Sequence, residues 1–257
     1  MKIRTLVLAG VSSFLLTSVA YMPINFLQKV FPQAFARVGQ GFSGTLWSGS
    51  AQQLHTTPIP LQNVTWTWQG LALFKGHLAA DVKAQLPMGG TIQGLCGVKW
   101  NTDVVCKDLR LSDFSIGVVA NLLQNPMLSG VQGKLQAHLS QVTWDRQTYP
   151  VMEGSADWHN AGVPMLAPNL GTYSALLTRE GDEQHIILNA KPEAALEING
   201  QATLKPDATY QVSLNLKPNS SGSDTANLQS MLSMGLGNPD TNGQFHIEQQ
   251  GKLPNFR

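Results

Sequence analysis

The sequence predicts an all-β fold: curved antiparallel sheet structure with duplicated hairpin units and two short helices, preceded by one N-terminal transmembrane helix. Three observations predict it. Apolar and polar residues alternate in one run after another, as in strands with a buried and a solvated face. The 24 glycines and 14 prolines are spread along the chain, and turn residues bound those runs. Only 13% of the 257 residues are charged, about half the usual share of roughly 25%, which is typical of an envelope-type β protein.

The charge balance also excludes classes of function. The net charge is +1, so no basic excess is present to release counterions from a nucleic-acid backbone, and nucleic acid is not a predicted partner. The apolar share of 42% excludes a disordered chain. The length allows one large β domain or two small ones.

The first 22 residues have the pattern of an export signal. Lys2 and Arg4 are followed by no charged residue until Lys29. Cations before an uncharged apolar run hold the N-terminus in the cytoplasm, and about 20 apolar residues suffice to span a bilayer. We therefore assign residues 1–4 to a cytoplasmic stub and residues 5–22 to a transmembrane anchor. The alternative is cleavage by signal peptidase after Ala20; either way, the rest of the chain lies outside the cytoplasm.

A linker over residues 23–40 follows, in which residues 24–37 fit a helical turn, and β structure is predicted from residue 41 onward. Successive runs have period two. Their apolar positions are Val64, Trp66 and Trp68; Leu78 to Leu86; Leu135, Ala137 and Leu139; Met152, Ala156 and Trp158; Leu196, Ile198, Ala202 and Leu204; Tyr210 to Leu216; and Phe245 and Ile247. A change of parity before Val142 requires a bulge near residues 140–141.

The two cysteines are predicted to form a cross-strand disulfide. A hairpin loop centred on Asn101 places Val98 opposite Val104 and Cys96 opposite Cys106, and opposed side chains come within disulfide range. Trp100 is expected on the same face. Such a bond is typical of an oxidising compartment, whereas two thiolates without nearby histidines make only half a metal site.

Two segments have helical spacing, and one pattern recurs. Residues 113–123 and residues 224–234 fit short helices. Gly44-Thr-Leu followed by Val64-Thr-Trp66 is matched by Gly133-Lys-Leu followed by Val142-Thr-Trp144. This predicts that one hairpin unit is used twice, in similar halves of about residues 41–125 and 126–257.

Signatures of chemistry are missing from the sequence. The six histidines are scattered singly, without metal-ligand spacing, so we predict no metal site, no cofactor and no catalytic residue. Asp157 and His159 share a strand face and are the nearest approach to a dyad, which leaves an envelope hydrolase as an alternative. Six tryptophans either line a groove for an apolar ligand or a partner strand, or pack as core aromatics: Trp47, Trp66, Trp68, Trp100, Trp144 and Trp158.

The order of these features resembles the type II secretion system protein N family of Gram-negative bacteria. The resemblance lies in the single N-terminal apolar segment, Gly44-Thr-Leu-Trp-Ser-Gly-Ser-Ala51, Trp66-x-Trp68, the second set around Gly133-Lys-Leu and Trp144, and the closing segment from Leu236 to Leu253. It implies a non-enzymatic, single-pass inner-membrane accessory component with a periplasmic β domain over residues 41–257. It also implies other exporter subunits as partners and supplies no catalytic residue.

A second function remains open. Proteins of this kind are similar to the curved β modules of bridge-like envelope proteins. A curved sheet with an apolar inner face could carry acyl chains, so a lipid-handling module in the inner membrane remains an alternative, with lipid as its ligand.

Overall fold

The described residues form one antiparallel sheet of fourteen strands, whose neighbours follow chain order except that the short second strand pairs only with the third. The computed structural model describes residues 13, 17, 21–56, 59–70, 77–87, 89–117, 130–163, 167–219 and 225–253. The strands are β1 (Gly39–Gln40), β2 (Ser43–Gly44), β3 (Ser48–Leu54), β4 (Leu61–Trp68), β5 (His77–Gln85), β6 (Thr91–Lys99), β7 (Val104–Ser115), β8 (Gln132–Trp144), β9 (Val151–Val163), β10 (Ala167–Glu180), β11 (Glu183–Ala190), β12 (Leu196–Leu204), β13 (Thr209–Pro218) and β14 (Phe245–Lys252). The predicted antiparallel all-β fold is confirmed.

The register places apolar residues side by side across ten strands. Opposed residues of antiparallel neighbours point to the same face, so direct partners trace a continuous line from β5 to β14. That line, the apolar row, consists of Ala84, Ile92, Leu111, Ala137, Ala156, Ala175, Leu188, Gly200, Leu214 and Ile247. The face that carries it is the apolar face; the opposite face carries residues such as Lys83, Glu197 and Glu248.

Among the described residues, two helices pack against the first strands of the sheet and a third packs against the last two. The helices are α1 (Ile24–Val30), α2 (Pro32–Val38) and α3 (Thr225–Leu236). Leu228 and Leu232 of α3, one turn apart, pack against Leu216 and Phe245. Two smaller clusters lie under the N-terminal helices and between β5 and β7; their buried members are Ile24, Phe42 and Ala51, and Leu86 and Phe114.

The helix predictions have mixed outcomes. The helix expected over residues 224–234 is present as α3, and the helical turn expected over residues 24–37 is two helices, divided where Pro32 begins α2. The helix expected over residues 113–123 begins later than predicted: residues 113–115 continue β7, and residues 116–117 are helical. Phe114 is buried opposite Leu135 and extends the pairing with β8. Residues 118–123 lie outside the described residues.

The prediction that one hairpin unit is used twice is also wrong. Gly44 and Trp66 lie on separate strands, but Gly133 and Trp144 both lie on β8. The expected parity change is confirmed, since the register of β8 with β9 shifts between Leu139 and Gln141. Pairing of β7 with β8 makes the sheet continuous across the expected boundary between halves.

The predicted anchor falls largely on residues that the structure does not describe. Of residues 5–22, only Ser13, Thr17, Tyr21 and Met22 are among the described residues. Within the described part of the chain, no helix is long and apolar enough to cross a membrane.

Candidate functional site

A cleft opens at one end of the strands. Because the strands follow in chain order, the four turns that join β6–β7, β8–β9, β10–β11 and β12–β13 all meet at this end. The cleft between them, the turn-end cleft, has a volume of about 430 Å³. Its lining includes Lys99, Trp144, Tyr149, Arg179, Gln184 and Lys205.

Gln184 forms the floor of the turn-end cleft. Its side chain is 2% exposed and its polar atoms are bonded. Oε1 accepts the Met152 backbone N–H at 2.6 Å, and Nε2 donates to the carbonyl oxygens of Thr178 at 2.9 Å and His185 at 3.2 Å. Gln184 therefore ties three neighbouring strands together where the apolar face meets the cleft.

The rim of the cleft carries both signs of charge. Arg179 ends the series Tyr173, Ala175 and Leu177 on the apolar side of β10, and its Nη2 lies 3.0 Å from Asp182 Oδ1. Lys99 is the last residue of β6, and Lys205 directly follows β12. The lining also includes Asp103, Asp145 and Asp182, so three carboxylates face three cations around the buried amide of Gln184.

Asp145 shapes the turn between β8 and β9 at this rim. Its Oδ1 accepts the backbone N–H groups of Gln147 and Thr148, both at 2.8 Å. These hydrogen bonds, with the one from Thr148 foremost, lower the pKa of Asp145 below its usual 3.8. The pKa values of Asp207 and Asp240 are lowered in the same way, chiefly by hydrogen bonds from Thr209 and Gln244.

These three carboxylates predict a loss of stability in acid. A lowered folded pKa stabilises the fold above about pH 4, and this contribution is lost as the pH falls through the folded value. Urea midpoints measured between pH 5 and pH 2 should fall less steeply for Asp145→Asn than for the natural chain. Glu193→Gln, a change at an exposed loop carboxylate, is the control, and identical slopes for Asp145→Asn and the natural chain would contradict the prediction.

The predicted disulfide joins β6 and β7. Cys96 and Cys106 are direct cross-strand partners and are bonded, with a Cα–Cα distance of 4.1 Å. Val98 lies opposite Val104 as expected. Trp100, expected on the same face, instead begins the turn and is 76% exposed, because β6 ends at Lys99.

Removing this disulfide should destabilise the sheet. The bond closes a short loop, with a sequence separation of 10, for which chain entropy gives about 2–3 kcal/mol. We expect the free energy of unfolding of the Cys96→Ala/Cys106→Ala variant to be lower by that amount. The variant should therefore unfold at a lower urea concentration. A reductant should lower the midpoint of the natural chain to that of the variant and leave the variant unchanged; equal midpoints without reductant would disprove the effect.

The other tryptophans lie in different surroundings. Trp66 packs in the cluster under the N-terminal helices and Trp158 in that under α3, 5.9 Å from the Tyr173 ring. Trp47 and Trp68 meet edge to face at 6.5 Å. Trp144 lines the turn-end cleft and donates its Nε1–H to the Thr148 carbonyl at 2.8 Å. Trp66 and Trp68 share the apolar face, since they lie opposite Val82 and Ala80.

The structure gives Asp157, considered above as part of a catalytic dyad with His159, a different partner. Asp157 Oδ1 lies 3.8 Å from Lys191 Nζ, which places it in a surface ion pair. The described residues contain no group of three or more His, Cys, Asp or Glu that could hold a metal ion.

Sequence reasoning missed Arg179 and Gln184. Both occupy positions where the alternation of β10 and β11 calls for an apolar residue. A polar side chain at such a position is the signal that could have found them.

Comparison with known proteins identifies the family. The family model described as "Type II secretion system (T2SS), protein N" matches residues 38–248, which run from the end of α2 into β14. The chain belongs to this family. Members of the T2SS protein N family are components of a secretion system and do not form an enzyme family.

Curated members of the T2SS protein N family match along most of their length. Type II secretion system protein N of Vibrio cholerae is 26% identical over 94% of this chain and 96% of its own. The protein of the same name from Aeromonas hydrophila is 24% identical over 83% of this chain and 84% of its own. That from Pectobacterium carotovorum is 24% identical over 98% of this chain and 100% of its own. No solved structure matches the chain significantly.

Proposed function

We propose that this protein is a non-enzymatic accessory component of the type II secretion system. Residues 5–22 anchor it in the inner membrane and its β domain lies in the periplasm, where contacts with other exporter subunits support export of folded exoproteins across the outer membrane. The observation that carries the proposal is the family match over residues 38–248, which spans nearly the whole sheet.

Two structural features support this proposal. The Cys96–Cys106 disulfide suits an oxidising compartment such as the periplasm. Strand β14 is the last in the sheet order, so among the described strands its outer edge has no neighbour. Unpaired backbone groups at a sheet edge accept an added strand, which gives an extended segment of another subunit a place to bind.

Secretion and fractionation together test the proposal. In a strain that lacks the chain, the full-length protein should restore exoproteins to the medium and remain in the membrane fraction. A variant in which a cleavable signal peptide replaces residues 1–22 should enter the soluble periplasm and fail to restore secretion. Full-length protein in the soluble fraction, or secretion restored by the released domain, would contradict the anchored role.

The apolar row favours lipid handling as a second candidate function. Ten apolar residues follow one another across β5–β14, perpendicular to the strands, and the same face ends at Arg179 in the turn-end cleft. Thirteen of the described strands, all except β2, follow one another as neighbours in the sheet. At a spacing of about 4.8 Å they extend roughly 60 Å across the sheet. An acyl chain along this face would be shielded from water, with an anionic head near Arg179 and Lys205.

Native mass spectrometry distinguishes this second function from a purely scaffolding role. Phospholipid should remain bound to the purified natural chain and to Ser155→Glu, which changes the polar face, but not to Ala156→Glu, which places a carboxylate in the apolar row. Arg179→Ala, at the half-exposed rim, should keep the fold and weaken retention of anionic lipid. Absence of lipid from the natural chain would disprove lipid handling and leave the secretion role standing.

A further inference from the structure

The N-terminal helices present a group of apolar side chains to solvent. Phe26 is 53% exposed, Val30 51%, Phe31 57% and Val38 54%. Tyr21, at the end of the predicted anchor, is 76% exposed. We call these five residues the N-terminal patch; the inner sides of the same helices, by contrast, are packed.

Packing against the sheet fixes the direction in which the N-terminal patch faces. Ile24 is 3% exposed and clusters with Phe42 and Ala51. The Phe35 ring meets the Phe42 ring edge to face at 5.1 Å. Pro23 forms a bridge with Thr45 next to β2. With their inner sides held in this way, α1 and α2 must present Phe26, Val30 and Phe31 outward.

The charges around the N-terminal patch have one sign. No acidic residue occurs in the first 80 positions, where Lys2, Arg4, Lys29, Arg37 and Lys75 are the charged residues. All 16 acidic residues lie from Asp81 onward. Lys29 and Arg37 belong to α1 and α2, so the patch combines apolar side chains with cations.

We propose that the N-terminal patch lies in the headgroup region of an anionic phospholipid bilayer. Apolar and aromatic side chains beside cations are the composition of helices that lie in the membrane interface. The patch begins where the predicted anchor ends, at residues 21–22, so the chain meets it on leaving the bilayer. A membrane, rather than a protein, is therefore the surface next to it; this step rests on the anchoring in the proposed function.

Docking at this patch would orient the whole sheet. Strands β1–β3, which contact α1 and α2, would lie at the membrane, and β14 would lie farthest from it. The free edge and the end of the apolar row would then point into the periplasm, in the direction of the rest of the exporter.

Fluorescence quenching in a bilayer tests the proposal on the full-length chain. The described cysteines are both in the disulfide, so Phe31→Cys and Ile187→Cys each provide one thiol for a solvent-sensitive dye. Ile187 is also exposed, at 42%, but lies on β11 far along the sheet. In vesicles of phosphatidylethanolamine and phosphatidylglycerol with headgroup-proximal nitroxide lipid, quenching at position 31 should be several-fold stronger than at position 187.

A charge variant and an extraction assay separate the possible failures. Lys29→Glu/Arg37→Glu should reduce quenching at position 31, as should vesicles of phosphatidylcholine alone. Equal quenching at both positions, with the protein still resistant to alkaline extraction, would overturn docking and leave the anchor intact. Release by alkaline extraction would overturn the anchor, and docking would then stand only if position 31 is still quenched more strongly.

Discussion

Replacement of Phe245 by alanine is expected to lower the free energy of unfolding by about 3–5 kcal/mol, the cost of a large buried aromatic removed without collapse of the cavity. Phe245 is 2% exposed at the start of β14. It lies opposite Leu216 and beneath Leu228 and Leu232 of α3. The side chain therefore joins the last strand of the sheet to the helix that covers it. Urea unfolding followed by tryptophan fluorescence measures the loss.

A neighbouring residue provides the matched control. His246 is the next residue of β14, is exposed and points to the opposite face, so His246→Ala should change the free energy of unfolding far less than Phe245→Ala. Met234→Ala, at an 80% exposed position of α3, should have little effect. If Phe245→Ala matched either control, the cluster under α3 would not hold the end of the sheet.

Local alternation predicted many of the strands and their faces, although no run was assigned to β3, β10 or β11. A period of two depends on the backbone of each strand, and the apolar positions expected at Leu135, Ala137 and Leu139, or Leu214 and Leu216, do face the same side. The parity change near residue 140 was predictable for the same reason. Near residue 113 the local spacing was ambiguous, and pairing of Phe114 with Leu135 decided for a strand over a helix.

Relations between strands were harder to predict, as the tryptophans show. Trp66 lies over Gly49 on the neighbouring strand and donates its Nε1–H to the Leu46 carbonyl at 3.0 Å. Trp158 lies over Gly133 and donates to the Gln132 carbonyl at 3.0 Å. The sequence pattern matched Trp66 with Trp144, but the structural counterpart is Trp158, because the arrangement depends on which strand is adjacent.

The turn-end cleft was unpredictable for the same reason. Lys99, Trp144, Arg179 and Lys205 come from four separate hairpins, and no spacing in the sequence relates them. They meet because a sheet in chain order places every second turn at the same end. A polar residue within an apolar alternation, as at Gln184, indicates the position of the cleft only once the strands on both sides are known.

The glycine beneath Trp158 leads to the second large effect. Gly133→Ala should lower the free energy of unfolding by about 2–6 kcal/mol, since backbone strain and overpacking each cost about 1–3 kcal/mol. Gly133 has φ of +117°, and a Cβ there would overlap Trp158 Nε1 and lie 2.7 Å from the His159 carbonyl oxygen. Either the indole must leave, losing its hydrogen bond to Gln132, or β8 must shift.

Gly181→Ala distinguishes the overlap from the backbone conformation. Gly181, in the turn between β10 and β11, also has positive φ, at +63°, but an added Cβ would meet no atom within 4 Å. Its replacement should cost only the left-handed conformation, about 1–2 kcal/mol. Near-ultraviolet circular dichroism should change for Gly133→Ala and not for Gly181→Ala, because only the first displaces an indole. Equal losses of stability with unchanged spectra would show that Trp158 does not require a glycine beneath it, and that strain alone selects Gly133.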